Sequence, residues 1–93
     1  MEHLNFDDKI YQTVHSEYTY HIDKTNRPRR GKTTRINRDD WNIYGCIWDA
    51  DNIVFTVSDE PTLTYCRVPE KGAEQWPFSQ SFFFKLSVQI GGE

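Results

Sequence analysis

Apolar residues recur at every second position over two long stretches of this chain, and nowhere do they form a 3.6-residue stripe three turns long. That rhythm restricts the chain to a fold built mainly from strands. Across residues 10–23 the even positions (Ile10, Gln12, Val14, Ser16, Tyr18, Tyr20, Ile22) are mostly apolar, whereas the odd positions (Tyr11, Thr13, His15, Glu17, Thr19, His21, Asp23) are mostly polar. Side chains of a strand point alternately to opposite faces, so one face of this segment belongs against a core. Fourteen residues exceed the usual strand length, which predicts either one long bent strand or two strands broken near Ser16 and Glu17. Residues 81–90 alternate in the same way, with Phe82, Phe84, Leu86, Val88 and Ile90 on one side and Phe83, Lys85, Ser87 and Gln89 on the other. A strong terminal strand is expected there.

Between these stretches lies a predicted β-hairpin over residues 41–58. In its first arm apolar residues fall on both parities, Trp41, Ile43 and Ile47 against Tyr44, Cys46 and Trp48, which suggests a central strand covered on both faces. Asp49, Asp51 and Asn52 are turn formers, because their side chains bond to nearby backbone, and Ile53, Phe55 and Val57 share one face of the second arm. Gly45 inside the first arm implies a bulge or a close backbone approach. Asp59, Glu60 and Pro61 break the pattern, a short strand follows over residues 62–68, and a helical turn is expected around residues 70–75. At 93 residues the chain has too little interior for two cores, so a single domain over residues 1–93 is expected. The expected architecture is mainly β: a small antiparallel barrel or sandwich of five to six strands with one long basic loop.

That loop is the second feature of the sequence. Seven of the eleven basic residues, Lys24, Arg27, Arg29, Arg30, Lys32, Arg35 and Arg38, lie between positions 24 and 38, where no Asp or Glu occurs. The rest of the chain holds all fourteen carboxylates against four cations, so charge is strongly segregated. Guanidinium groups bind oxyanions through charge-assisted, often bidentate hydrogen bonds. The window therefore reads as a docking surface for an anionic partner, with Arg27, Arg29, Arg30, Lys32, Arg35 and Arg38 as binding residues and Trp41 and Trp76 as aromatic anchors. The expected function is a non-enzymatic protein-binding module, a small inhibitor or accessory subunit that meets a protein bearing an acidic patch. The alternative is a nucleic-acid-binding protein that grips phosphates with the same loop, with Tyr18, Tyr20, Trp41 and Tyr44 available for base stacking. A sequence pI of 5.5 favours the first, because net negative charge opposes long-range attraction to nucleic acid.

Catalytic and metal chemistries are argued down. Gly31, Lys32, Thr33 and Thr34 resemble the end of a phosphate-binding loop, yet Asn26 stands where its leading glycine belongs and no helical pattern follows. His3, His15 and His21 show no ligand spacing, and Cys46 and Cys66 lie far from any CxxC arrangement. Carboxylate pairs such as Asp39-Asp40 and Asp59-Glu60 sit at expected turns. No enzyme activity, metal or cofactor is therefore expected. No apolar run reaches the ~20 residues that cross a bilayer, and Glu2, Asp7 and Asp8 break the order of a signal peptide. A cytoplasmic protein with reduced cysteines and no membrane partner is the expectation.

Overall fold

The computed structural model of the chain describes residues 1–4, 8–16, 18–19 and 28–88. Among them run six strands: β1 (Glu2–His3), β2 (Lys9–Thr13), β3 (Gly31–Arg35), β4 (Tyr44–Trp48), β5 (Asn52–Val57) and β6 (Glu60–Cys66). A 3-10 turn over Pro69–Lys71 leads into the one-turn helix α1 (Gly72–Gln75). The strands form two three-stranded antiparallel sheets, β1-β2-β3 and β4-β5-β6. The mainly β expectation stands, as a pair of open sheets and not as a closed barrel.

The alternation in the first stretch is realised as far as Val14. Ile10, Gln12 and Val14 are buried, and the face that carries them meets the second sheet. Gln12 is enclosed completely and ties the sheets together: its Nε2 donates to Thr62 Oγ1 at 2.6 Å, and its Oε1 accepts from Thr34 Oγ1 at 3.0 Å. A buried amide left without partners is costly, so these two bonds also hold β2 against β3 within its sheet and against β6 of the other sheet. Strand β2 ends at Thr13, and the chain bends at Ser16, whose N–H donates to Thr19 Oγ1 at 2.8 Å. Neither expected form is seen, since the strand stops three residues before Ser16 and Tyr18 and Thr19 are not in a strand. Residues 20–23, the end of the alternating segment, lie outside the described residues.

The second sheet is a meander. Asp49 Oδ1 accepts from the N–H groups of Asp51 and Asn52 at 2.8 and 2.7 Å, closing the β4–β5 turn as the sequence predicts. Gly45 faces Thr56 across the ladder, and a Cβ at that position would collide with Thr56 Oγ1. Of the two roles expected for this glycine, the structure shows the close approach. Strand β4, by contrast, is an edge strand whose Tyr44, Ile47 and Trp48 are exposed; it is not the central, doubly covered strand that its apolar content suggests. Strand β6 begins at Glu60, ahead of the expected position 62. Its inclusion of Pro61 is tolerated because an edge strand need not donate on its outer side. The β5–β6 turn is a two-residue link in which Ser58 and Asp59 both take positive φ, 50° and 68°.

The core sits where the sheets meet the segment after β6. Val14, Ile53, Tyr65 and Trp76 form one buried cluster, with Phe55 and Phe78 packed against it. Tyr65 and Trp76 stack at 6.1 Å with 4° between their planes. Gln75, fully enclosed, secures the segment: its Oε1 accepts from Val68 N–H at 2.9 Å and its Nε2 donates to Cys66 O at 2.8 Å.

Two expectations are overturned here. Residues 24–38 are not one long loop, because Gly31–Arg35 is β3, paired residue for residue with β2. Lys32 and Arg35 flank two β-branched threonines, Thr33 and Thr34, which favour a strand, and charge content obscures this in the sequence. Residues 81–88 form no strand, since no partner edge lies beside them among the described residues, and Phe83, Phe84, Leu86 and Val88 stand exposed. Alternation marks a segment able to pair, whereas strand formation needs a neighbour. Consistently, the accessible surface of 7344 Å² exceeds the roughly 5700 Å² expected for a fully compact chain of this mass. No helix among the described residues is long and apolar enough to cross a membrane.

Candidate functional site

Five of the six cations expected to bind a partner, Arg29, Arg30, Lys32, Arg35 and Arg38, lie among the described residues. Arg27 and Lys24 lie outside the described residues. Arg35 in β3 is paired with Asp8 at 2.6 Å. Arg29 Nε donates to Gly31 O at 3.0 Å, and Arg30 Nη1 donates to Thr19 O at 2.6 Å. Lys32 is half-buried in β3 opposite Gln12, and Arg38 is exposed beyond the end of the strand. Guanidiniums that bridge strand and loop in this way are partly committed to their own chain. Of the two expected aromatic anchors, Trp41 is 97% exposed, whereas Trp76 is only 3% exposed and belongs to the core. The correction for Trp76 has a simple cause: the segment after β6 folds back onto Tyr65, placing its indole under the sheet.

Two adjoining concavities lie beside this core. One, of about 210 Å³, is lined by Thr13, Val14, His15, Cys46, Trp48, Ile53, Phe55, Phe78 and Phe82. Its aromatic wall is a relay of ring contacts: Trp76 to Phe78 at 5.3 Å, Phe78 to Phe82 at 6.0 Å and Phe82 to Trp48 at 5.7 Å, the last edge-on at 72°. Each ring positions the next, so the half-exposed Trp48 and Phe82 are held in place from the buried Trp76 outward. The second concavity, of about 230 Å³, is lined by Thr13, Val14, His15, Thr19 and Arg30. Because Thr13, Val14 and His15 border both, they are two ends of one cleft, aromatic at one end and polar and cationic at the other. No Asp or Glu lines it among the described residues. Burial pushes the Cys46 thiol above its ordinary pKa, with a smaller opposing effect from the charge of the chain's amino terminus, so the thiol contributes a neutral, weakly polar wall. Both cysteines are free. No cluster of three or more His, Cys, Asp or Glu side chains able to hold a metal ion occurs among the described residues.

The sequence reading missed this cleft. The alternation places Trp48 in a doubly covered strand, Phe82 on one face of a terminal strand and His15 on the polar face of the first. The available signal was the pairing of an aromatic at the end of the first hairpin arm with another at the start of the final apolar stretch, but their meeting depends on the fold-back anchored by Gln75.

Comparison with known proteins corrects the expected function. No protein-family model matches the chain. It is 34% identical over 92 residues to a keratan-sulfate endo-1,4-beta-galactosidase of Sphingobacterium multivorum, a match covering 99% of this chain and 21% of that protein. It is 30% identical over 99 aligned positions to a beta-glucanase of Rhodothermus marinus, covering 99% of this chain and 34% of that protein. The chain thus spans about a fifth and about a third of the lengths of these two curated relatives. Similarity to two carbohydrate-acting enzymes along almost the whole chain overturns the expectation of an inhibitor or accessory module docking through a basic loop, and with it the nucleic-acid alternative. The underlying error was to treat clustered charge as one free loop, when two of its seven cations, Lys32 and Arg35, lie in β3.

Proposed function

We propose that the chain is a carbohydrate-binding β-module of the kind carried within glycan-cleaving proteins, and that it contributes recognition and not bond cleavage. The observation that carries this reading is the cleft walled by Trp48, Phe78 and Phe82, open to solvent and bordered by a few polar side chains, in a chain similar throughout to two glycosidases. Sugar rings present faces of C–H groups polarised by neighbouring oxygens. Such faces meet the negative face of an aromatic ring favourably, while rim hydroxyls are met by polar side chains such as Thr13 and His15. A large exposed aromatic surface beside a concavity is what a ligand groove requires.

The assignment to binding follows from the same lining. Glycosidic hydrolysis ordinarily uses two carboxyl groups flanking the scissile bond, one as acid and one as base or nucleophile. The cleft offers none among the described residues, and carboxylates such as Asp49 and Asp51 are placed at turns.

Titration of the full chain with β-linked galactan and glucan oligosaccharides, followed by calorimetry and tryptophan fluorescence, tests the proposal. Saturable binding that weakens about tenfold or more in Trp48→Ala is expected, since losing a well-placed ring costs roughly 1–2 kcal/mol. Trp41→Ala, at a ring outside the cleft, is expected to bind as the parent does. Absence of saturable binding to any such glycan, with the chain folded, would defeat the reading.

A further inference from the structure

The open edge of β4 and the apolar segment that begins at Phe82 are complementary in backbone, in face and in position. Ile43 O accepts from Ser58 N–H at 2.7 Å and Asp49 N–H donates to Asn52 O at 3.0 Å, both in register with the β4–β5 ladder. Bonding direction alternates along an antiparallel strand, so the odd-numbered residues of β4 face β5, and the N–H and C=O groups of Tyr44, Cys46 and Trp48 point away from it. No further strand pairs on that side among the described residues. Edges are ordinarily guarded by charge, proline or a bulge, yet β4 contains no charged residue and no proline and its ladder to β5 is regular.

Residues 82–88 carry one charge, Lys85, among Phe82, Phe83, Phe84, Leu86 and Val88, all of them exposed. Single exposed apolar residues are ordinary, whereas a contiguous run of this size marks a contact surface. Its first ring is already in place, because Phe82 meets Trp48, the last residue of β4, edge-on at 5.7 Å. Phe82, Trp48 and Cys46 all line the cleft, so the even positions of both segments belong to its face.

We infer that residues 82–88 close onto β4 of their own chain as an antiparallel fourth strand of the second sheet, with Phe82 opposite Trp48, Phe84 opposite Cys46 and Leu86 opposite Tyr44. In this register the outward groups of Tyr44, Cys46 and Trp48 gain partners, Phe84 follows Phe82 on the cleft face, and Phe83 joins Ile47 on the other. Lys85 falls opposite Gly45, whose missing side chain leaves room for the lysine stem. Seven residues at ~3.3 Å each reach about 23 Å, which covers the five residues of β4. The occupant is this chain and not a second copy because the Phe82 contact already holds the start of the segment at the edge, which makes closure intramolecular.

Amide hydrogen exchange of the full chain without ligand reads the closure. The N–H groups of Tyr44, Cys46 and Trp48 are expected to exchange at least about tenfold more slowly than in Leu86→Pro, which removes a donor from the new ladder. Leu86 is exposed, so that change leaves the rest of the fold intact. A second measurement traps the pairing covalently. In a Cys66→Ser background, Phe84→Cys sets a thiol opposite Cys46 within reach of a disulfide, whereas Phe83→Cys sets one on the other face. Mild oxidation at low protein concentration is expected to give an intramolecular disulfide with Phe84→Cys and none with Phe83→Cys, read by intact mass and non-reducing electrophoresis. Equal exchange in the parent and Leu86→Pro would overturn the inference. So would oxidation of folded Phe84→Cys that yields no disulfide, or mainly a linked dimer, which would assign the edge to a second copy. If Phe84→Cys does not fold, the exchange comparison decides alone. Neither assay contains a glycan, so failure here leaves the carbohydrate-binding reading standing.

Discussion

Replacing Gln75 by Met removes one amide of matched length from the interior and tests how the aromatic wall is held. Gln75 is fully enclosed; its side chain accepts from Val68 N–H at 2.9 Å and donates to Cys66 O at 2.8 Å, while its own carbonyl accepts from Tyr65 Oη at 3.1 Å. In Gln75→Met the third bond survives and the first two partners lose their mate. An unsatisfied buried backbone group costs roughly 1–3 kcal/mol. Cys66 is exposed and Val68 half-buried, so water reaches part of the vacated positions and the sum falls near the lower bound, about 2–3 kcal/mol. A chain of this length has about 5–14 kcal/mol of stability in all. With a urea m-value of about 1.5 kcal/mol/M, the midpoint should drop by roughly 1.3–2 M. Urea titration followed by tryptophan fluorescence reads this directly, because Trp76 adjoins Gln75 and stacks on Tyr65. Glycan affinity should fall too, as the Trp76, Phe78, Phe82 relay loosens at its root. The control is Gln80→Ala, whose amide makes an exposed bond to Pro77 O at 2.8 Å and should shift the midpoint by less than about 0.3 M. A Gln75→Met midpoint no different from that of Gln80→Ala would refute the claim that this amide pins the fold-back.

Three other perturbations follow from particular geometries. Ser58→Asn combined with Asp59→Gly supplies residues suited to the positive φ of both turn positions and should stabilise by about 1 kcal/mol, raising Tm by roughly 4–8 °C in a calorimetric scan. Gly45→Val drives a branched side chain into Thr56 and should lower Tm or prevent folding, with circular dichroism as the measurement. In a Cys66→Ser background, the thiolate absorbance of Cys46 should titrate at higher pH in the folded chain than in urea. The sign follows from burial favouring the neutral thiol: the stabilisation is complete below the ordinary cysteine pKa and is lost as pH rises through the raised value.

How much of this was legible beforehand differs from element to element. The buried identities of Ile10, Gln12 and Val14, the hairpin closed by Asp49, the close approach at Gly45 and the helical turn before Trp76 all follow from local pattern, since period and turn chemistry are encoded within a few neighbouring residues. Strand β3 was obscured because Arg and Lys are read as solvated charge, yet their long stems lie along a sheet without penalty. The cleft was not legible at all: Thr13, Trp48, Phe82 and Arg30 come from four distant segments, and no spacing along the chain expresses their adjacency.

The sequence by itself determined that the chain is built from antiparallel strands and where its tightest turns fall, because alternation and turn preference act over a few residues. Only the tertiary structure decided which alternating segments acquire a partner, which tryptophan is core and which is cleft wall, and which arginine stands at the end of an aromatic groove. Those outcomes depend on contacts between residues dozens of positions apart, such as Gln12 with Thr62 and Trp48 with Phe82, and a contact of that kind is a property of the folded chain alone.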